Sequence, residues 1–214
     1  MIASPIHKFV ILMNPKTGTT SVKSSVGRLG RYAHVRVGGN LHCKHLTYAG
    51  YRDMFGDYFD RKGCDVFITV REPLDVLRSW YRFRKSTVRH RGGITVHRYE
   101  HDEKVRQTLT THMHFQDFMD DWAQEAPSFS AHVSCGIDFC LDIHGNIPDE
   151  VIFIRYTELS KLADRLSEKF GEQVSLPHLN PSPEIDPNLM TLEDEHKYEK
   201  LNEARRIYNR IPFV

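Results

Sequence analysis

The sequence predicts an α/β protein built on a central parallel sheet flanked by helices. Short β-branched or apolar runs alternate with longer stretches of helical period, the pattern of a sheet covered by helices. The runs Phe9–Met13, Val66–Val70 and Val151–Ile154 are almost wholly apolar. Strands buried on both faces need that composition. A weaker run at Ala33–Val37 supplies a fourth strand candidate.

The elements follow in order. After the first strand, Ser21–Leu29 opens with hydroxyls at the capping position and places Val22, Val26 and Leu29 at helical spacing. After the strand at Val66–Val70, Glu72-Pro73 sets proline where a first helical turn tolerates it, and Leu74, Leu77 and Tyr81 share one face. Phe115, Phe118, Met119 and Trp122 repeat at i, i+3, i+4, i+7 and read as core packing. Leu159–Phe170 and Glu193–Tyr208 are further helices. Residues 84–112 show weak periodicity and a Gly-Gly pair, and Leu176–Asn188 carries four prolines in thirteen residues, which requires an extended loop. The expected organisation is a single domain, 1–214, with a loop-rich insertion at about 84–129.

With 29 Lys plus Arg against 28 Asp plus Glu, the net charge is +1. No global field draws the protein to nucleic acid or to an anionic membrane, so charge acts locally. The longest apolar runs reach only strand length, which predicts no membrane span, and the N-terminal MIASPIHKFV lacks the apolar core of a secretory leader. The cytoplasm is the expected compartment for a soluble chain of this kind. Four scattered cysteines (Cys43, Cys64, Cys135, Cys140) form no C-x-x-C pair and suit neither a disulfide scaffold nor a zinc site.

The most informative stretch is FVILMNPKTGTTSV, Phe9 to Val22. A loop leaving a buried parallel strand and entering a helix directs backbone amides, reinforced by the helix dipole, at one point where an anion binds. Gly18 permits close backbone approach, Thr17, Thr19, Thr20 and Ser21 bring hydroxyls, and Lys16 brings a charge. An ordinary turn whose threonines cap the helix is the competing reading. The order is not G-x-x-x-x-G-K-[ST], since the lysine precedes the glycine, which disfavours metal-dependent nucleoside triphosphate hydrolysis. A second junction, VFITVREPLDVLRSWYRF, ends its strand with Arg71 and places Ser79 about two helical turns on. Arginine fork and serine suit a second phosphate, against the alternative of an Arg71–Asp75 ion pair.

PKTGTTS after one strand and VREPLDVLRSWY after a later one resemble the two signature regions of the sulfotransferases that use 3'-phosphoadenosine 5'-phosphosulfate (PAPS). The resemblance implies a three-layer, P-loop-like fold, with Lys16, Thr17, Gly18, Thr19, Thr20 and Ser21 at the 5'-phosphosulfate and Arg71 and Ser79 at the 3'-phosphate. HCKHLTY is similar to the family context that carries a histidine base and implies His45 for that role, with His42 as its competitor among thirteen histidines. IFIRYTEL, Ile152 to Leu159, resembles the family's late strand and helix start, and LPHLNPSP its nucleotide-closing loop. The absence of a tryptophan after the first loop leans toward carbohydrate-directed or bacterial members.

The implied reaction moves a sulfuryl group in line from PAPS to a hydroxyl, or less readily an amine, of an unidentified small-molecule or saccharide acceptor, leaving 3',5'-adenosine bisphosphate (PAP) and needing no metal. By analogy with phosphoryl transfer the protein positions groups and offsets charge. Lys16 is the candidate to offset charge on the leaving oxygen, a role whose loss costs about 2.7 to 4 kcal/mol of barrier. Histidine titrates where a base for a hydroxyl is useful. Arg78 to Arg91 holds six basic residues and no acid, ordinarily a solvated face but suited to an anionic acceptor beside a phosphate site. Two rivals remain: a small P-loop nucleotide-dependent kinase, for which Asp65 stands on the wrong side of its strand, and a non-catalytic nucleotide or polyanion-binding module.

Overall fold

A computed structural model describes residues 1–28, 45–85, 88–91, 94–97, 109–177 and 184–214, with residues 28, 88–91 and 94–97 by backbone alone. The strand expected at Ala33–Val37, His42 and most of the middle of the expected insertion lie outside the described residues.

The described residues form two compact units: Met1–Arg71 with Gly136–Leu179 and Asn209–Val214, and Glu72–Cys135 with Asn180–Tyr208. In the first unit, β1 (Ile2–Ser4), β2 (Phe9–Leu12), β3 (Asp65–Val70) and β6 (Val151–Arg155) make one sheet in the order β1-β2-β3-β6. β2, β3 and β6 are parallel, with Ile11 opposite Phe67 and Ile68 opposite Phe153. All four residues of β2 are buried, as continuous apolar runs require.

The protein is α/β with a central sheet flanked by helices, as expected, and an antiparallel edge strand makes the sheet mixed. β1 runs antiparallel to β2, pairing Ala3 with Val10. The intervening Pro5–Lys8 turn explains this: a connection so short can only fold back, whereas parallel neighbours need a long crossover. Lys8, in the left-handed region at φ 53°, completes the reversal.

Helices α1 (Thr19–Arg28) and α6 (Leu159–Phe170) cover the sheet, and Phe9, Ile11, Val22, Val26, Phe67, Ile154, Leu162 and Leu166 form one buried cluster. A helical stretch not anticipated from sequence runs from α2 (Tyr48–Tyr51) through a widened π turn at Arg52–Gly56 to α3 (Asp57–Arg61). Its signal was present. Tyr48, Tyr51, Phe55 and Phe59 recur at helical spacing, and the Thr47 side chain caps the start by accepting from the Gly50 amide.

The second unit contains α4 (Pro73–Lys85), the antiparallel pair β4 (Val88–Arg91) and β5 (Ile94–His97), α5 (Phe115–Trp122) and most of α7 (Glu199–Arg210). The expected aromatic face is its core: Phe115, Phe118, Met119 and Trp122 bury against Leu74, Leu77, Tyr81, Tyr198 and Leu201. α7 begins six residues later than the periodicity suggested. No helix among the described residues is long and apolar enough to cross a membrane.

Candidate anion site at the carboxyl end of the sheet

Because β2, β3 and β6 are parallel neighbours, the segments leaving their carboxyl ends open at the same edge of the sheet. That edge is where open α/β sheets bind ligands. Residues 13–18 leave β2, Arg71 follows β3 directly, and Tyr156 follows β6 directly.

The loop after β2 is fixed from inside. Asn14, 1% exposed, donates its Nδ2 hydrogen to the Gly136 carbonyl at 2.9 Å. The Thr17 hydroxyl is fully buried, donating to the Asn14 carbonyl at 2.7 Å and lying 2.8 Å from Thr69 Oγ1 on β3. Its side chain therefore braces the loop, and what Thr17 can offer outward is its amide. Lys16 and Gly18 are both left-handed, at φ 63° and 76°. For lysine that conformation costs about 1–2 kcal/mol and persists only where the surroundings impose it. Left-handed residues placed so closely in a turn give the backbone form of anion-binding nests.

A Cβ at Gly18 would stand 2.9 Å from Leu159 Cδ1 and 3.3 Å from Tyr156 Cε2, so a side chain there would have to displace its neighbours. The Gly18 carbonyl accepts from the Ser21 and Val22 amides, so α1 begins at once. The first turn of α1 carries no acid, leaving its positive dipole end unopposed by its own side chains. Thr19 is half-buried, Thr20 exposed and Ser21 buried.

Arg71 lies with its guanidinium carbon 4.6 Å above the Tyr156 ring, and its Nη1 is 3.5 Å from the Lys16 carbonyl. The strand-end arginine thus abuts the loop directly. Its Nε is buried without a hydrogen-bond partner, and it forms no ion pair among the described residues. Asp75, the alternative partner weighed for it, pairs with Arg78 at 3.6 Å. Ser79 is buried on α4 in the second unit.

His45 stands beside the same loop. Its Nδ1 is 2.7 Å from the Met13 carbonyl at the end of β2. A carbonyl only accepts, so Nδ1 carries the hydrogen and the neutral ring has its lone pair on Nε2. Three residues on, Tyr48 donates to the Glu150 carboxylate. Burial and that carboxylate push the Tyr48 phenol well above its ordinary value, keeping it a donor that anchors the start of α2.

Part of the basic run is committed elsewhere. Arg84 lies between Trp80 and Phe129, its Nη1 donating to the Phe129 carbonyl, and burial lowers its pKa. Lys85 donates to the His112 carbonyl at 2.8 Å. Arg78 pairs with Asp75 on its own helix, so three of the six basic residues have partners within the second unit. Asp65, at the amino end of β3, pairs with Lys169 at 2.6 Å.

Sequence reasoning assigned no role to Tyr156, Thr69 or Asn14, although the first lies in the quoted IFIRYTEL. Their partners are distant in sequence, so only pairing of the strands reveals them.

No protein-family model and no curated protein matches this chain. Among solved structures, mouse sulfotransferase SULT7A1 complexed with PAP is similar at 15% identity and a TM-score of 0.45, covering 95% of this chain and 83% of that one.

Proposed function

We propose that the protein is a sulfotransferase that takes a sulfuryl group from PAPS and passes it to a hydroxyl of an acceptor, releasing PAP. The observation that carries this reading is the strand-end Arg71, set against the Lys16 loop with a buried, unpartnered Nε and no ion pair among the described residues. A buried donor without a partner is costly, and an anionic ligand supplies one. The quoted motifs PKTGTTS and VREPLDVLRSWY supply the nucleotide class, since both resemble PAPS-binding signatures.

In this reading the amides of residues 17–20, the α1 dipole and Lys16 hold the 5'-phosphosulfate end, with hydroxyls from Thr19, Thr20 and Ser21 as donors. Arg71 takes the 3'-phosphate. The acceptor oxygen forms its bond to sulfur while the bond from sulfur to the bridging phosphate oxygen breaks, and that oxygen keeps the electron pair. Lys16 offsets the charge arriving there. The acceptor's proton goes to Nε2 of His45, which the Nδ1–Met13 hydrogen bond supports as the basic nitrogen.

A calorimetric titration of PAP against ATP, each with and without magnesium, tests the reading. Metal-independent preference for PAP is expected. Binding of ATP only with magnesium, and none of PAP, contradicts it and favours a kinase.

A further inference from the structure

Asn14 joins three segments of the first unit. It lies just past β2, its backbone carbonyl takes the Thr17 hydroxyl at 2.7 Å, and its Nδ2 donates to the Gly136 carbonyl at 2.9 Å. A carbonyl only accepts, which fixes the orientation of the amide. The same Gly136 carbonyl accepts from the Cys140 thiol at 3.6 Å, so residues 136–140 close around the Asn14 side chain. Gly136 is left-handed at φ 93°, and a Cβ there would stand 3.1 Å from Asn14 Oδ1. Oδ1 itself is buried without a hydrogen-bond partner among the described residues. The cost of a buried orphan acceptor offsets what one such bond contributes. Fold stability therefore gives no reason for an amide here, whereas the position it imposes on the loop does. Lys16 holds a left-handed conformation that persists only where its surroundings impose it, and Asn14 and Thr17 fasten the loop on either side of it.

We infer that Asn14 is a positioning residue that ties the Lys16 loop to residues 136–140 and so sets the loop's amides for the 5'-phosphate end of the nucleotide. This rests on the sulfotransferase reading and extends it to a side chain and a segment outside both signature motifs. Asn14 acts through the loop, so its effect falls on the phosphate that the loop holds.

The test compares affinities for PAP and for adenosine 3'-monophosphate, which lacks the 5'-phosphate, across pH. Asn14→Asp keeps the shape but sets a carboxylate oxygen against the Gly136 carbonyl. Burial raises the pKa of such a carboxyl, and once protonated it regains a donor for that carbonyl. At about pH 8 the variant is expected to bind PAP about tenfold more weakly than wild type, with adenosine 3'-monophosphate within about twofold. Toward about pH 5.5 the PAP deficit should close. It is read as the ratio to wild type at each pH, so that shared titrations cancel, those of the ligand's phosphates and of the Cys140 thiol beside Asn14 included. Equal loss of both ligands overturns the inference, as does a deficit in folded protein that stays constant with pH. Should Asn14→Asp not fold, the wild type answers alone. Its Asn14 side-chain amide hydrogens, followed by NMR, should exchange more slowly with PAP bound than with adenosine 3'-monophosphate, and equal exchange overturns the inference too. A wild type that binds no PAP removes the sulfotransferase reading itself, a distinct result.

Discussion

Thr17 and Thr69 stand with their hydroxyl oxygens 2.8 Å apart, tying the loop after β2 to the strand beside it. Thr17 Oγ1 also reaches the Asn14 carbonyl, so the loop is braced both to itself and to β3. Thr69→Val removes one of these ties and leaves the other. The expected cost is about 1 kcal/mol of stability, with PAP affinity falling a few-fold. Thr17→Val strips the Asn14 carbonyl of its hydroxyl donor and leaves Thr69 only a long, 3.4 Å approach to the Thr17 carbonyl, and should cost about 1–3 kcal/mol. Urea unfolding of the two variants gives the order.

Gly18 is held at φ 76° with Leu159 and Tyr156 filling the space a side chain needs. Gly18→Ala meets backbone strain and a collision together, so its destabilisation should exceed the roughly 1–2 kcal/mol of a left-handed non-glycine residue alone. Loss of PAP binding should accompany it. A variant with wild-type thermal midpoint and affinity would contradict the packing described.

Much of the frame was legible in the sequence because it follows from local pattern. Phe9–Met13, Val66–Val70 and Val151–Ile154 read as covered strands from their apolar runs, and the aromatic spacing from Phe115 to Trp122 announced the core of the second unit. The misses depend on long-range pairing. Three residues at Ile2–Ser4 are too few to carry a pattern, and only the turn before β2 sets their antiparallel direction. The hydroxyl of Thr17 read as a ligand donor until Thr69, fifty-two positions on, claimed it. Arg84 and Lys85 read as surface charge, yet Phe129 and His112 hold them, which sequence spacing does not show.

His45 is expected to act on the rate rather than on nucleotide affinity. His45→Asn should lower sulfuryl transfer from PAPS to a panel of phenol and saccharide acceptors by about 10²- to 10⁴-fold, with PAP binding within about twofold. Steady-state rates beside calorimetric affinities separate the two. Unchanged transfer would assign the base elsewhere, with His42 the next candidate.

Acid should loosen the second unit at Asp121. Burial alone would raise its pKa, but the Ser128 hydroxyl and amide and the neighbouring His112 outweigh burial and hold the carboxyl below its ordinary 3.8. A carboxylate depressed in the folded state adds stability that is fully present above the unfolded value and lost as pH falls through the folded one. Wild type should therefore lose stability below about pH 4. Asp121→Asn should be less stable at pH 7 and converge with wild type in acid. Urea midpoints from pH 7 to pH 2.5 show whether the curves meet.

The most direct measurement is the dissociation constant for PAP, in the presence of a metal chelator, for wild type, Lys16→Met and Arg71→Met. Removing a charge-assisted contact is worth about 1.5–3 kcal/mol, so each variant should bind at least tenfold more weakly than a wild type that binds without metal. Wild type that does not bind PAP, or variants that bind it as wild type does, would contradict an anion site built from the Lys16 loop and Arg71.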